Sequence, residues 1–98
     1  MSTTKTTVLM DFYADWCAPC QRISPFLTHL AQEFQDRIRL IRVNVDTDSV
    51  MVDKYNIYSL PTVVFVTGGH ETARIVGAKT EDEYRNTLIK TLRKRPAK

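Results

Sequence analysis

The spacing of apolar residues changes repeatedly along this chain, and each change predicts an element. Val8-Leu9-Met10-Asp11-Phe12-Tyr13 is a nearly continuous apolar run, the pattern of a strand covered on both faces. Ile23, Phe26, Leu27, Leu30, Ala31 and Phe34 then recur at the three-and-four spacing of an amphipathic helix. Pro19 suits the first turn of that helix, where a missing N–H costs nothing. Pro25 removes the bond to the Gln21 carbonyl and predicts a kink. Ile38 to Val45, rich in Ile, Leu and Val, reads as a second strand. Asp48 or Ser49 caps a short helix running to about Tyr55. Val63 to Val66 is a third strand, Gly68-Gly69 a tight hairpin turn, and Thr72 to Val76 a fourth strand. Thr80-Glu81-Asp82-Glu83 has the form of a capping box for a last helix, with Tyr84, Leu88 and Leu92 as its buried stripe.

The order β-α-β-α-β-β-α predicts an α/β fold: one parallel strand pair, then an antiparallel hairpin added to the same four-stranded mixed sheet. Helices are expected on both faces. The chain shows no internal repeat and no low-complexity segment.

Ninety-eight residues suit one domain, 1–98, with a polar leader at 1–6 and a basic tail at 93–98. A chain of this length buries roughly 60–70% of its unfolded surface, enough for a core without disulfide staples. No run approaches the roughly 20 apolar residues of a membrane span, so no membrane association is expected. The first seven residues lack the apolar stretch of a signal peptide, which makes the cytoplasm the expected location. The net charge of +3 is unevenly placed. Lys90, Arg93, Lys94, Arg95 and Lys98 supply five of the fourteen bases, while the preceding 89 residues carry nine bases against eleven acids, a net of −2. Such a tail complements a helix C-terminus and keeps it soluble. It is short and carries no aromatic residue, so nucleic-acid binding is not expected.

Chemistry concentrates at Trp16-Cys17-Ala18-Pro19-Cys20, between the first strand and the first helix. Cysteines three apart on a helix are neighbours, at a separation a disulfide can bridge with little backbone movement. A helix N-terminus favours a thiolate on the first of them. Two other readings stay open: small core residues, or half of a tetrahedral metal site. Cys17 and Cys20 are the only cysteines, and His29 and His70 the only imidazoles, so a closed metal site would need a second subunit. The redox reading fits the motif best, with no metal and no cofactor. Asp11 lies inside the most apolar strand, where an ionised, unpartnered carboxylate is costly and its pKa rises. Next to the cysteine pair it is a base for the second thiol. Pro61, in Ser59-Leu60-Pro61-Thr62, reads on its own as an ordinary strand start.

These motifs, in this order and at these separations, resemble the thioredoxin family from Val8 to the last helix. Residues 8–20 match its strand, buried aspartate and Trp-Cys-Gly-Pro-Cys site. Pro25 matches its helix proline, Val43-Asn44-Val45-Asp46 a strand end, Leu60-Pro61-Thr62 its cis-proline loop, and Val76-Gly77-Ala78 its glycine segment. The resemblance implies a thioredoxin-like three-layer sandwich with a redox disulfide between Cys17, the nucleophile, and Cys20, the resolving thiol. It implies Asp11 as the proton acceptor and Trp16 as a cover for the sulfurs. It also implies a cis Pro61, and a substrate-docking edge made by Leu60, Gly77 and Ala78.

The departures are specific. Ala18 replaces the usual glycine; Ala18 and Pro19, the uncharged residues between the cysteines, bear on the redox potential. Arg42 replaces a lysine near the buried acid and opposes its upward shift. The outer strand and helix of longer members have no counterpart ahead of Val8, as in minimal microbial thioredoxins. Ile38–Val45 is then expected at a sheet edge, with Arg37, Arg39 and Arg42 discouraging edge-to-edge pairing. The expected activity is thiol–disulfide exchange by a monomeric electron carrier that reduces disulfide-containing proteins and is recharged by a thioredoxin-reductase-like donor. The rivals are a disulfide oxidase or isomerase, and a thioredoxin-like binding subunit without turnover.

Overall fold

A computed structural model describes residues 6–93. The polar leader and the basic tail therefore fall outside the described residues, apart from Thr6 and Arg93. The elements run β1 (Thr7–Tyr13), α1 (Ala18–Glu33), β2 (Ile38–Asn44), α2 (Ser49–Lys54), β3 (Thr62–Thr67), β4 (His70–Val76) and α3 (Glu81–Arg93). The strands form one sheet in the order β2-β1-β3-β4. β1 and β2 are parallel, which requires the α1 crossover between them. β3 lies antiparallel to both β1 and β4.

Central position explains the apolar runs. β1 and β3 have strand neighbours on both sides and helices above and below, so nearly every residue is buried. The sheet divides the core in two. On one face Leu9, Ile38, Val63 and Phe65 pack against Ile23, Leu27 and Leu30 of α1 and Tyr84 and Leu88 of α3. On the other, Met10, Phe12, Val43, Val64 and Val66 meet Met51 of α2 and the residues that follow it. Strand alternation therefore turns Leu9 and Asp11 toward α1 and α3, and Met10 and Phe12 toward α2.

Pro25 sits inside α1, where the sequence reading placed it, while other boundaries are refined. Asp48, not Ser49, caps α2, its carboxylate accepting the Met51 N–H at 3.1 Å. β4 begins at His70, because ladder pairing continues through polar residues that the apolar pattern does not mark. Gly68 (φ 61°) and Gly69 (φ 82°) supply the two left-handed positions that a two-residue hairpin needs. A bulge then sets Phe65 opposite Ala73 and Val66 opposite Glu71, leaving Thr72 as the extra residue. At α3 the Thr80 hydroxyl accepts the Glu83 N–H at 3.1 Å. The reciprocal Glu83 bond is not formed among the described residues: Glu83 is exposed, and water solvates its carboxylate equally well. Leu92 is only partly covered, and Thr91 takes the buried place at that end. Arg85 ties α3 to α1 through Glu33 at 2.8 Å.

Candidate active site

The chain leaves β1 at Tyr13 and turns through Ala14, Asp15 and Trp16 into the cysteine pair. The Cys17 N–H closes the turn on the Ala14 carbonyl at 3.1 Å. Cys17 is the N-cap of α1, with an extended backbone, and its Sγ accepts the Cys20 N–H at 3.2 Å. That bond places a free helix-end donor on the first sulfur, which stabilises negative charge there. Cys17 and Cys20 form a disulfide with their Cα atoms 5.3 Å apart.

Exposure does not separate the two thiols as the motif suggests. Cys17 is 5% and Cys20 2% accessible, both packed with Ala14 beneath Tyr13, Val45 and Leu60. What separates them is the groove. A cavity of about 600 Å³ opens beside the turn, lined by Trp16, Cys17, Ala18 and Pro19. Cys20 does not line it. Val45, Val52, Ile57, Tyr58 and Leu60, from β2 through to the start of β3, complete an apolar lining.

Trp16 is 71% exposed and so no core indole; its Nε1–H donates to the Asp46 carboxylate at 2.8 Å, which fixes the ring at the groove. Leu60 lines the groove, and the Leu60–Pro61 bond is cis. Pro61 is buried, and its carbonyl accepts the Gly77 N–H at 2.8 Å. Pro61, Gly77 and Ala78 thus stand beside the groove rather than in its lining. Gly77 has φ 93°, a left-handed conformation that a side chain would strain.

Asp11 is 1% exposed, and both its carboxylate oxygens lack a hydrogen-bond partner among the described residues. It faces the layer of α1, the helix that carries Cys20. Arg42 is its register partner on β2, with Nη1 3.9 Å from Oδ2. That is too long for a hydrogen bond. Arg42 instead donates to the Thr28 hydroxyl at 3.2 Å and reaches the Ser24 carbonyl at 3.5 Å. Burial therefore prevails: desolvation lifts the Asp11 pKa from 3.8 to about 6, with Arg42 pulling the other way.

The three arginines do not act as one edge guard. Among the described residues β2 does have a strand neighbour on one side only. Arg37 precedes the strand, Arg39 is exposed on it, and Arg42 turns to the Asp11 side. Sequence reasoning missed Val52, Ile57 and Tyr58 as groove residues and Asp46 as the partner of Trp16. Only Tyr58, an aromatic just ahead of Ser59-Leu60-Pro61, left a signal; it is 89% exposed.

Comparison with known proteins places this geometry. The Thioredoxin family model matches residues 1–90. The chain is 45% identical over 74 residues to Thioredoxin-T of Drosophila melanogaster, covering 76% of this chain and 47% of that protein, about half its length. It is 35% identical to Thioredoxin 1 of Synechococcus elongatus, covering 87% of this chain and 79% of that one. A bifunctional thioredoxin reductase/thioredoxin of Mycobacterium leprae is 39% identical over 74% of this chain and 16% of its own. Among solved structures, the N21Q mutant thioredoxin from Halobacterium salinarum superposes with a TM-score of 0.83 at 30% identity, over 92% of this chain and 78% of that one. With a Cys-X-X-Cys disulfide held at the cap of its first helix, the chain belongs to the thioredoxin family of thiol–disulfide oxidoreductases.

Proposed function

We propose that this chain is a protein-disulfide reductase and electron carrier in which Cys17 attacks and Cys20 resolves. The observation that carries the assignment is the asymmetry of the pair: Cys17 receives the helix-end N–H and lines the groove, and Cys20 does neither. The Cys17 thiolate attacks one sulfur of a substrate disulfide, forming a mixed disulfide and releasing the other substrate sulfur as a thiolate. Cys20 passes its proton toward Asp11 and attacks the Cys17 sulfur. The internal disulfide re-forms and the second substrate thiol leaves. Two electrons have moved to the substrate, and the exchange uses no cofactor.

An apolar groove flanked by Trp16, Tyr58 and Leu60 favours a polypeptide with uncharged residues next to its cystine. The edge at Leu60, Gly77 and Ala78 takes an extended backbone. Regeneration falls to a reductase, a role supported by the relative whose name joins thioredoxin reductase and thioredoxin in one chain. A monomer working in the cytoplasm as a single domain is the setting in which such a carrier operates. No helix of the described residues is long and apolar enough to cross a membrane.

Direction is tested by activity and potential together. Insulin reduction with dithiothreitol as electron source is expected, with a potential between about −270 mV and the glutaredoxin range of about −200 to −230 mV. A value near about −120 mV would make the chain an oxidant. The cysteine roles are tested by limiting iodoacetamide on the reduced protein. Peptide mapping is expected to find the adduct on Cys17; predominant labelling of Cys20 would reverse the assignment.

A further inference from the structure

Tyr84 is the largest fully buried side chain among the described residues, and its hydroxyl reaches the edge of the core. The ring packs with Leu9, Val63 and Leu88 beneath the sheet, and the phenol oxygen emerges at the irregular segment between β4 and α3. There it accepts the Lys79 N–H at 3.3 Å and donates to the Gly77 carbonyl at 3.2 Å. Gly77 in turn donates its N–H to the Pro61 carbonyl at 2.8 Å. Among the described residues, these are the only hydrogen bonds made by the backbone of residues 77–79. The two residues flanking Ala78 are thus clamped by one hydroxyl. The N–H and C=O of Ala78 itself have no partner among the described residues, and Ala78 is exposed.

An irregular segment around a glycine with φ 93° does not hold one conformation unaided. A docking edge with two unpaired backbone groups gains affinity by being ordered before the partner arrives. We infer that Tyr84 is a positioning residue for substrate docking: its hydroxyl holds Gly77 and Lys79 so that Ala78 presents its N–H and C=O to an extended polypeptide. This rests on the docking reading of Leu60, Gly77 and Ala78. A phenylalanine would fill the same core volume, so the hydroxyl is the part of the residue that packing does not require.

The test compares Tyr84→Phe, Tyr84→Leu and Ala78→Pro with the parent protein. Each reduced protein is mixed with increasing insulin, and separately with a small aromatic disulfide that has no polypeptide to dock. Tyr84→Phe removes one oxygen facing an exposed segment, and Tyr84→Leu repeats the loss in a second side chain. Both are expected to raise the half-saturating insulin concentration about three- to tenfold, the size of one or two neutral hydrogen bonds, with the plateau rate unchanged. Neither should alter reduction of the small disulfide or the redox potential. Ala78→Pro deletes the docking N–H itself and is expected to act in the same direction. A rise with Ala78→Pro but none with the Tyr84 variants would overturn the role of Tyr84 and leave the docking edge standing. No rise with Ala78→Pro would remove the docking edge and the inference with it. Equal losses on insulin and on the small disulfide would also overturn the inference, since they would report distortion of the cysteine pair.

Discussion

Cys17→Ser is expected to abolish insulin reduction, with a loss of roughly three orders of magnitude or more, the scale seen when a nucleophile is removed. A serine hydroxyl in the same place still accepts the Cys20 N–H and still caps α1, so the fold should persist. Chemistry fails because no mixed disulfide can form: a thiolate, not a hydroxyl, is the nucleophile. The companion variant is as informative. Cys20→Ser keeps the attacking sulfur at the groove but removes the resolving one. It should arrest on substrate as a covalent adduct, visible on non-reducing gels and released by dithiothreitol. Together these outcomes separate a reductase from a thioredoxin-like binding subunit, which would keep its function in both variants. Adducts on the Cys17→Ser protein would exchange the roles of the two cysteines.

Asp11→Asn should move stability and rate in opposite directions. The folded-state pKa of Asp11 lies near 6, above its ordinary 3.8, so the folded protein binds this proton more tightly than the unfolded chain does. The contribution of the protonated acid is fully present below about pH 4 and is lost as pH rises through 6. A shift from 3.8 to about 6 corresponds to about 3 kcal/mol. The neutral variant should therefore match the parent near pH 4 and exceed it at pH 7 by up to that amount. The gain is reduced by whatever its unpartnered amide costs. Arg42 does not reverse the sign. At 3.9 Å it makes no hydrogen bond to the carboxylate, and it keeps Thr28 as a partner when the charge is removed. Meanwhile resolution of the mixed disulfide should slow about a hundredfold near neutral pH, where Asp11 is ionised, the scale of a lost general base, and the difference should shrink as pH falls through 6. Denaturation midpoints of the oxidised forms across pH 4–8, with single-turnover rates, read both effects. If neither quantity changed, Asp11 would be reached by solvent and the buried-base step would be abandoned.

The order of elements is legible because period-two and period-3.6 patterns report which faces are covered. Leu9 and Ile23 carry that information whatever their partners are. Cys17, Cys20 and Asp11 are legible because each breaks its local pattern: reactive groups at a strand-to-helix turn, and an acid inside an apolar run. The groove is not. Val45, Val52, Ile57 and Tyr58 come from a strand end, a helix and a loop, and no local rule joins them. No local pattern links Arg42 to Asp11: the family resemblance put it near the acid, and strand register sets the two opposite each other. Tyr84 reads as one more buried position of an amphipathic helix. A hydrophobic pattern records where a ring is buried and says nothing of where its hydroxyl emerges.

In the proposed cycle, substrate and proton meet the cysteine pair from opposite sides of the sheet. Val45, Ile57 and Leu60 belong to the α2 face, while Asp11 and Arg42 belong to the face under α1 and α3. A polypeptide docked in the groove would therefore lie across the sheet from the acid and from the partly exposed Arg42 side chain. Sites that share no partners respond to substitution nearly independently. The groove lining and the acid are thus separable in this scaffold, whereas Tyr84, on the Asp11 side of the sheet, touches both the docking edge and the acid's surroundings. A lineage could exchange Tyr58 or Val52 to recruit new targets while the acidity set around Asp11 stayed as it was.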